Sequence, residues 1–147
     1  MEAEKIIINI DGGSRGNPGP GAYSAVFSSG GKVLVEYAEY LPNTTNNIAE
    51  YSGLILALKK AKAFFGKEKI KILNFLVYSD SELLIKQMKG EYKIQDSKMQ
   101  ELFLIAWNLK VDFKNIDFQH IDREQNKRAD SLVNETLDAN LKKKFLF

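Results

Sequence analysis

The chain has 147 residues, of which 44% are hydrophobic, and carries a net charge of +2. This length and composition predict one folded domain over residues 1–147 and exclude a wholly disordered chain. The absence of cysteine excludes disulfides and thiolate metal sites and favours a reducing, cytoplasmic location. The N-terminus has no charged-then-apolar signal segment, and no apolar run approaches the roughly 20 residues of a membrane span. We therefore expect no membrane association.

The predicted elements begin with strands. An apolar run over 5–11 predicts a central strand, and 21–29 with 32–41 predict a hairpin that turns at Ser29-Gly30-Gly31. Apolar residues at helical spacing predict a helix from 48 to 65 that ends at Gly66. The same reasoning predicts the remaining elements: a strand over 70–79, helices over 81–88 and 97–110, a strand over 114–121 and a last helix from Glu124.

The helix over 97–110 has a predicted buried face that includes Leu102, Ile105, Ala106 and Leu109, with Trp107 in or near the core. Three early strands followed by strand–helix alternation predict an α/β domain, with a mixed five-stranded sheet and helices on both faces. Sites in such sheets form at strand ends where the strand order switches.

Four acidic residues stand out, at Asp11, Glu50, Asp80 and Asp130. Asp11 and Asp80 each end a predicted strand, so parallel neighbours would bring them to one edge. Each acid has a local explanation as well. Asp11 suits a turn, Asp80 a helix N-cap, and Glu50 a capping box with Asn47. Asp130 borders the apolar face of the last helix, where an acid without a partner is costly. Together the carboxylates form a ligand set suited to Mg²⁺ or Mn²⁺.

The segment from Gly12 to Gly21 contains five glycines and two prolines. It is either a rigid turn or a backbone surface that a polyanion can approach closely. Short polar side chains surround it in the predicted fold, at Asn17, Thr45, Asn46 and Asn47. Such groups can bind phosphates or a ribose 2′-hydroxyl.

Three further features stay open at this stage. His120 is the only histidine and is either structural or catalytic. Arg123 either contacts a phosphate or pairs with Glu124. The tail over 141–147, which ends Phe145-Leu146-Phe147, is either an apolar plug or a short peptide that docks a protein partner.

Four segments in this order resemble the ribonuclease H family, type 1, and the resemblance covers nearly the whole chain. They are residues 10–21, 45–50, 78–81 and 123–130. The resemblance implies an endonuclease that cuts the RNA strand of RNA–DNA hybrids with little sequence preference, leaving 5′-phosphate and 3′-hydroxyl ends.

By the same resemblance, Asp11, Glu50, Asp80 and Asp130 are the metal-binding catalytic carboxylates. They would hold two Mg²⁺ ions, or Mn²⁺, about 4 Å apart. Asp11 would bridge both ions, Asp80 and Glu50 would hold the first, and Asp130 the second. His120 corresponds to a mobile histidine that assists product release, a role that Arg123 could share. The implied substrate-binding residues are Gly12, Arg15, Asn17, Asn46, Asn47 and Ser81, with Thr45 near a phosphate of the DNA strand.

Two departures accompany the resemblance. The segment over 123–126 differs from the glycine-and-histidine loop of the best-known bacterial form, which bears on the role of His120. Residues 89–96 fill the space where some members carry a lysine-rich helix, so substrate grip would depend on Lys86, Lys89 and Lys93. We expect a monomer. A non-catalytic module that binds hybrid or double-stranded RNA is the alternative function, and a DNA nuclease or integrase core is a third; the four retained acids favour the enzyme.

Overall fold

The computed structural model describes the backbone of residues 5–146 and the side chains of residues 5–143. Its elements, in chain order, are β1 (Lys5–Ser14), β2 (Gly19–Ser29), β3 (Lys32–Thr44), α1 (Asn46–Phe65), α2 (Lys67–Ile70), β4 (Asn74–Ser79), α3 (Glu82–Met88), α4 (Ser97–Lys110), β5 (Asn115–His120), a 3₁₀ turn (Arg123–Asn126) and α5 (Lys127–Leu146). The side chains of the tail residues 144–147, on which the plug and docking hypotheses depend, lie outside the described part.

The five strands form one mixed sheet in the order β3-β2-β1-β4-β5. β1, β2 and β3 pair antiparallel, whereas β1, β4 and β5 run parallel. The predicted mixed five-stranded sheet is therefore confirmed. β1 lies between β2 and β4, so the order of the strands along the chain switches at β1. A site is therefore expected beyond the C-terminal end of β1.

Helices cover both faces of the sheet, as predicted. Alternate residues of β1 point to opposite faces. Ile8 and Ile10 lie in the main core with α1, whereas Val133 and Leu137 of α5 pack with Ala22 of β2 on the other face. This alternation directs Asp11, the residue after Ile10, towards the face that α5 covers.

Several boundaries differ from the prediction. β1 continues past Asp11 to Ser14, because its antiparallel ladder with β2 extends to the pair Ser14–Gly21 although its parallel ladder with β4 ends at Asn9. Asp11 is thus a residue within a strand. The strand predicted over 70–79 begins only at Asn74, after the short helix α2, and the last helix is preceded by the 3₁₀ turn.

The predicted burial of α4 is partly wrong. Its buried residues are Met99, Leu102 and Ala106, whereas Ile105 is 40% exposed and Trp107 is 38% exposed. Trp107 stacks on Phe103 and carries the Lys110 ammonium over its ring, 4.0 Å from the centroid. No helix in residues 5–146 is long and apolar enough to cross a membrane.

Candidate active site

Two glycines allow α1 to approach β1 closely. A Cβ atom built on Gly12 would lie 2.3 Å from the Ala49 carbonyl carbon and 2.6 Å from the Glu50 nitrogen. A Cβ atom built on Gly53, one turn further along α1, would lie 2.8 Å from the Asp11 carbonyl oxygen. Real side chains do not tolerate such distances, so glycine at both positions is what lets the helix carry Glu50 to the side of Asp11.

Thr45, and not Asn47, caps the start of α1. The Thr45 hydroxyl accepts a hydrogen bond from the Ile48 nitrogen at 3.3 Å. The predicted capping box between Asn47 and Glu50 is therefore wrong, because the helix begins two residues earlier than that box requires. Glu50 is left available for the site, where the Ser81 hydroxyl donates a hydrogen bond to its carboxylate.

Asp80 follows the last residue of β4, as predicted, but it does not cap the next helix. Ser81 is the N-cap of α3, and its hydroxyl accepts from the Leu84 nitrogen at 3.2 Å. Because Ser81 supplies the cap, the Asp80 carboxylate is not committed to the helix end. The local explanations of both Asp80 and Glu50 thus fail, which strengthens the functional one.

Asp130 lies in the first turn of α5 and is partly buried. Arg123, from the preceding 3₁₀ turn, places its Nη2 atom 3.8 Å from Asp130 Oδ1. The structure therefore pairs Arg123 with Asp130, an option that the sequence had not raised beside Glu124. The Arg123 side chain is 79% exposed, so this ion pair is loose and solvent-screened.

These residues line one open cleft of about 480 Å³ at the edge of the sheet. The predicted site residues in its lining are Asp11, Gly12, Arg15, Asn46, Glu50, Asp80, His120, Arg123 and Asp130. The cleft also contains residues that the sequence reasoning missed, among them Ser14, Asp122 and Asn134. A signal for Asn134 was present, since it stands four residues after Asp130 and therefore on the same side of α5.

Burial and mutual repulsion set the electrostatics of the cleft. Burial first, and then the neighbouring Asp80 and Asp130 carboxylates, raise the pKa of Asp11 to about 8. Burial likewise raises the pKa of Glu50, against the hydrogen bond from Ser81. Burial raises the pKa of Asp80 as well, although Arg123 and His120 lie close enough to oppose it. Burial and the two neighbouring carboxylates therefore favour the protonated form of Asp11 in the metal-free protein.

The donor set suits a hard divalent cation. All four acids offer carboxylate oxygens, and burial together with the neighbouring acids raises the pKa of Asp11, Glu50 and Asp80. Among residues 5–143, no three acidic or histidine side chains already converge as ligands of one ion. A bound divalent cation would supply positive charge at the cleft and favour the ionised carboxylates, so metal binding would release protons.

The glycine-rich segment is tied to the start of α1 by amide side chains. The Asn46 Oδ1 atom accepts from the Ser14 nitrogen at 2.9 Å, and the Asn46 nitrogen donates to Asn17 Oδ1 at 3.0 Å. Arg15 pairs with Asp138 of α5 at 2.7 Å. Asn17, Thr45, Asn47 and Ser81 are not among the residues that line the cleft; Asn17 and Asn47 are exposed beside it.

Comparison with known proteins agrees with this arrangement. A family profile described as "Reverse transcriptase-like" matches residues 9–136. The chain is 40% identical to the ribonuclease HI of Halobacterium salinarum, over 91% of this chain and 65% of that protein. It is 37% identical to the bifunctional protein Rv2228c of Mycobacterium tuberculosis, over 92% of this chain and 36% of that protein.

Among solved structures, LC11-RNase H1 in complex with RNA/DNA hybrid is similar with a TM-score of 0.87 and 42% identity, over 92% of this chain and 99% of that chain. The fold and the acidic cleft define a nuclease-like α/β domain. The similar proteins identify the family within this class. The chain belongs to the ribonuclease H family, type 1. It spans about one third to two thirds of the length of the curated relatives named above.

Proposed function

We propose that the protein is an endonuclease that hydrolyses the RNA strand of RNA–DNA hybrids with the help of divalent metal ions. The observation that carries the proposal is the gathering of Asp11, Glu50, Asp80 and Asp130 in one open cleft of a type 1 ribonuclease H domain. The hybrid-bound state of the similar LC11-RNase H1 supports the choice of substrate.

Asp11, Glu50, Asp80 and Asp130 would hold the metal, with two Mg²⁺ ions expected and Mn²⁺ as a substitute. When bound, such ions neutralise charge on a phosphate and lower the pKa of a water molecule. The role of the protein is to bring four carboxylates to that position although they repel one another. The close packing at Gly12 and the hydrogen bond from Ser81 to Glu50 favour that assembly, whereas burial opposes ionisation of the carboxylates in the absence of a cation.

Substrate contacts would come from the strip beside the acids. Gly12 presents a main chain without a side chain, and Asn46 is held at the cleft by Ser14. The remaining proposed contacts are Arg15, Asn17, Thr45, Asn47 and Ser81. Since these groups are suited to backbone atoms and ribose hydroxyls, cleavage would depend little on sequence. Products would carry 5′-phosphate and 3′-hydroxyl ends.

His120 and Arg123 would act at the mouth of the cleft. Both are exposed, and both lie near enough to Asp80 to lower its pKa. Arg123 would supply positive charge that attracts the phosphate backbone, and His120 would assist departure of the product. Lys86, which was expected to grip the substrate, instead bonds Glu82 at 2.8 Å and Tyr92 at 3.2 Å. Lys89 and Lys93 therefore become the stronger candidates for that grip.

Four lesser proposals come from the sequence alone. They are a single domain over residues 1–147, a monomeric state, a cytoplasmic location, and a tail over 141–147 that either packs as a plug or docks a partner. A sedimentation measurement would test the monomer, and removal of residues 144–147 would test the tail.

The deciding experiment compares wild-type protein with Asp11→Asn on an end-labelled RNA–DNA hybrid, double-stranded RNA and double-stranded DNA. Each substrate is incubated with Mg²⁺, Mn²⁺ or EDTA. We expect metal-dependent cutting of the hybrid RNA strand alone, and only by the wild type. Binding of the hybrid without cutting under every metal would refute the enzyme and leave a non-catalytic binding module.

A further inference from the structure

Two buried polar side chains, Ser24 and Asn126, lie beneath the cleft without lining it. Ser24 is fully buried and Asn126 is 1% exposed. Neither is a carboxylate, neither faces the cleft, and none of the proposed steps uses them. Polar groups this deeply buried are held by specific hydrogen bonds, and the position of those bonds indicates what they fix.

Asn126 joins the chain just before α5 to β1. Its Nδ2 atom donates to the Ile10 carbonyl at 2.8 Å, and its Oδ1 atom accepts from Asn9 Nδ2 at 3.0 Å. Ile10 is the residue before Asp11. The parallel ladder between β1 and β4 ends at Asn9, so Asn126 binds the strand just where its β4 neighbour stops supporting it.

Ser24 makes the second connection, from the other side of β1. Ser24 is the cross-strand partner of Asp11 in the β1–β2 ladder. Its hydroxyl donates to the Ala129 carbonyl at 2.7 Å, and Ala129 is the residue before Asp130. The strand position opposite one acid is thereby bonded to the helix position next to the other acid.

These two connections oppose the electrostatic repulsion between the acids of the cleft. Asp11 of β1 and Asp130 of α5 line the same cleft, and like charges repel, so ionised carboxylates there favour movement of α5 away from β1. The apolar contact of α5 on this face is formed by Val133 and Leu137 with Ala22. Apolar contacts are non-directional and tolerate sliding, whereas a buried hydrogen bond fixes both distance and direction.

We propose that Ser24 and Asn126 are positioning residues that hold the backbones of Asp11 and Asp130 together, so that their ionised carboxylates can bind a divalent cation. The inference rests on the proposed function, since it concerns the same carboxylates. Ser24 and Asn126 touch neither substrate nor metal; they act through the main chain of Ala129 and Ile10.

The test uses Ser24→Ala and Asn126→Asp with controls on α5 itself. Thr136→Val removes a hydroxyl that bonds the Leu132 carbonyl at 2.7 Å, and Asn140→Asp removes an amide that bonds the Thr136 carbonyl at 2.8 Å. These control bonds lie within the helix and do not connect it to β1. Thr136→Val therefore matches Ser24→Ala in the loss of a hydroxyl group, and Asn140→Asp matches Asn126→Asp in the loss of an amide group.

The first readout needs no catalysis. Mn²⁺ is titrated against the melting temperature of each protein without nucleic acid, which gives a half-saturating concentration from the metal-induced stabilisation. Ser24→Ala and Asn126→Asp should raise that concentration by about 10-fold or more, the usual effect of losing a group that orients a metal ligand. Both controls should leave it within about twofold. The second readout is cleavage, in which KM for the hybrid should stay constant while excess metal restores kcat.

Unchanged metal titrations in the two variants, with only a lower melting temperature, would overturn the inference and leave Ser24 and Asn126 as ordinary fold-stabilising residues. If Asn126→Asp does not fold, Ser24→Ala decides the question alone. Failure of the proposed function has a separate signature, because the wild type itself would then show neither metal-induced stabilisation nor hybrid cleavage.

Discussion

The two ends of the parallel strands carry opposite charges, which are exposed and paired at one end and buried beside like charges at the other. At the C-terminal end lies the acidic edge, formed by Asp11, Glu50, Asp80 and Asp130. At the N-terminal end lies the lysine edge, which includes Lys5 and Lys114 beside the strand starts and Lys62, Lys67 and Lys71 around Asp112. Helix α1 runs between these edges, and the 12 residues from Glu50 to Lys62 on that helix separate them by about 18 Å.

The lysine edge disperses and pairs its charges. Lys62 forms an ion pair with Asp112, and Lys62, Lys71 and Lys67 together hold the pKa of Asp112 below its usual value. Asp112 is exposed, so these interactions are weak and screened by solvent.

The acidic edge instead buries like charges together, which raises the pKa of three of them. The comparison indicates that like charges buried side by side mark a functional cluster, whereas the number of charges alone does not.

The largest effect on the acidic edge is expected from Asp11→Asn. The change removes the most strongly perturbed carboxylate while keeping its shape. We expect kcat on the hybrid to fall by at least about a thousandfold, with an unchanged circular dichroism spectrum and, in EDTA, equal or higher stability. Cleavage at the wild-type rate by Asp11→Asn would remove the acidic edge from the mechanism.

Gly12→Ala tests the close approach that brings Glu50 to Asp11. The new methyl group would overlap the backbone of α1 at Ala49 and Glu50, so the helix must shift. We expect a loss of about 1–3 kcal/mol in the free energy of unfolding together with severe loss of cleavage. Gly13→Ala is the matched control, because its Cβ would meet only Asn46 Oδ1, at 3.8 Å. Equal effects of the two changes on urea unfolding and cleavage would contradict the account.

The stability of the metal-free protein should fall as the pH rises from about 4 to about 8. Asp11 has a pKa of about 8 in the folded protein and 3.8 as the reference value, so within this window the folded state binds the extra proton. Stability then decreases with pH, by up to about 1.4 kcal/mol per unit for one proton.

The raised pKa values of Glu50 and Asp80 act in the same direction. Urea unfolding in EDTA across this pH range measures the slope, and Asp11→Asn should flatten it. A slope that is as steep in Asp11→Asn as in the wild type would assign the effect to other groups.

His120→Ala separates release from chemistry at the mouth of the acidic edge. His120 is exposed at the end of β5, so we expect a loss in kcat smaller than the roughly 100-fold that marks a general acid or base. Single-turnover cleavage should change less than steady-state turnover if the residue acts in product release. A single-turnover loss as large as that of Asp11→Asn would make His120 a catalytic residue.

The smallest effect is expected at the lysine edge. Lys62→Ala removes the ion pair with Asp112, and because both partners are solvent-accessible the free energy of unfolding should change by less than about 1 kcal/mol. Hybrid cleavage should stay within about twofold of the wild type, since the change lies far from the cleft. A large loss of cleavage would mean that the two edges are coupled.

Local sequence patterns predicted the sheet and most of the elements because apolar periodicity and turn residues act over a few residues. The same patterns failed where two local explanations competed. Asn47 and Thr45 are both good N-caps by residue type, and it is Thr45 that caps α1 in the folded protein. Trp107 looked like a core residue by type, yet the buried stripe of α4 falls on Leu102 and Ala106, which leaves the indole ring half-buried beside Phe103.

By itself, the sequence determined the four acids, their family motifs and the kind of element that carries each acid. The tertiary structure decided that Glu50 and Asp80 take no part in helix capping, because Thr45 and Ser81 cap the two helices. It also decided what holds the acids together, since Ser24 and Ala129 are 105 positions apart in the chain and bond only after folding. A hydrogen bond across that separation leaves no periodic trace in the sequence, because its partners are set by the sheet register and the helix packing.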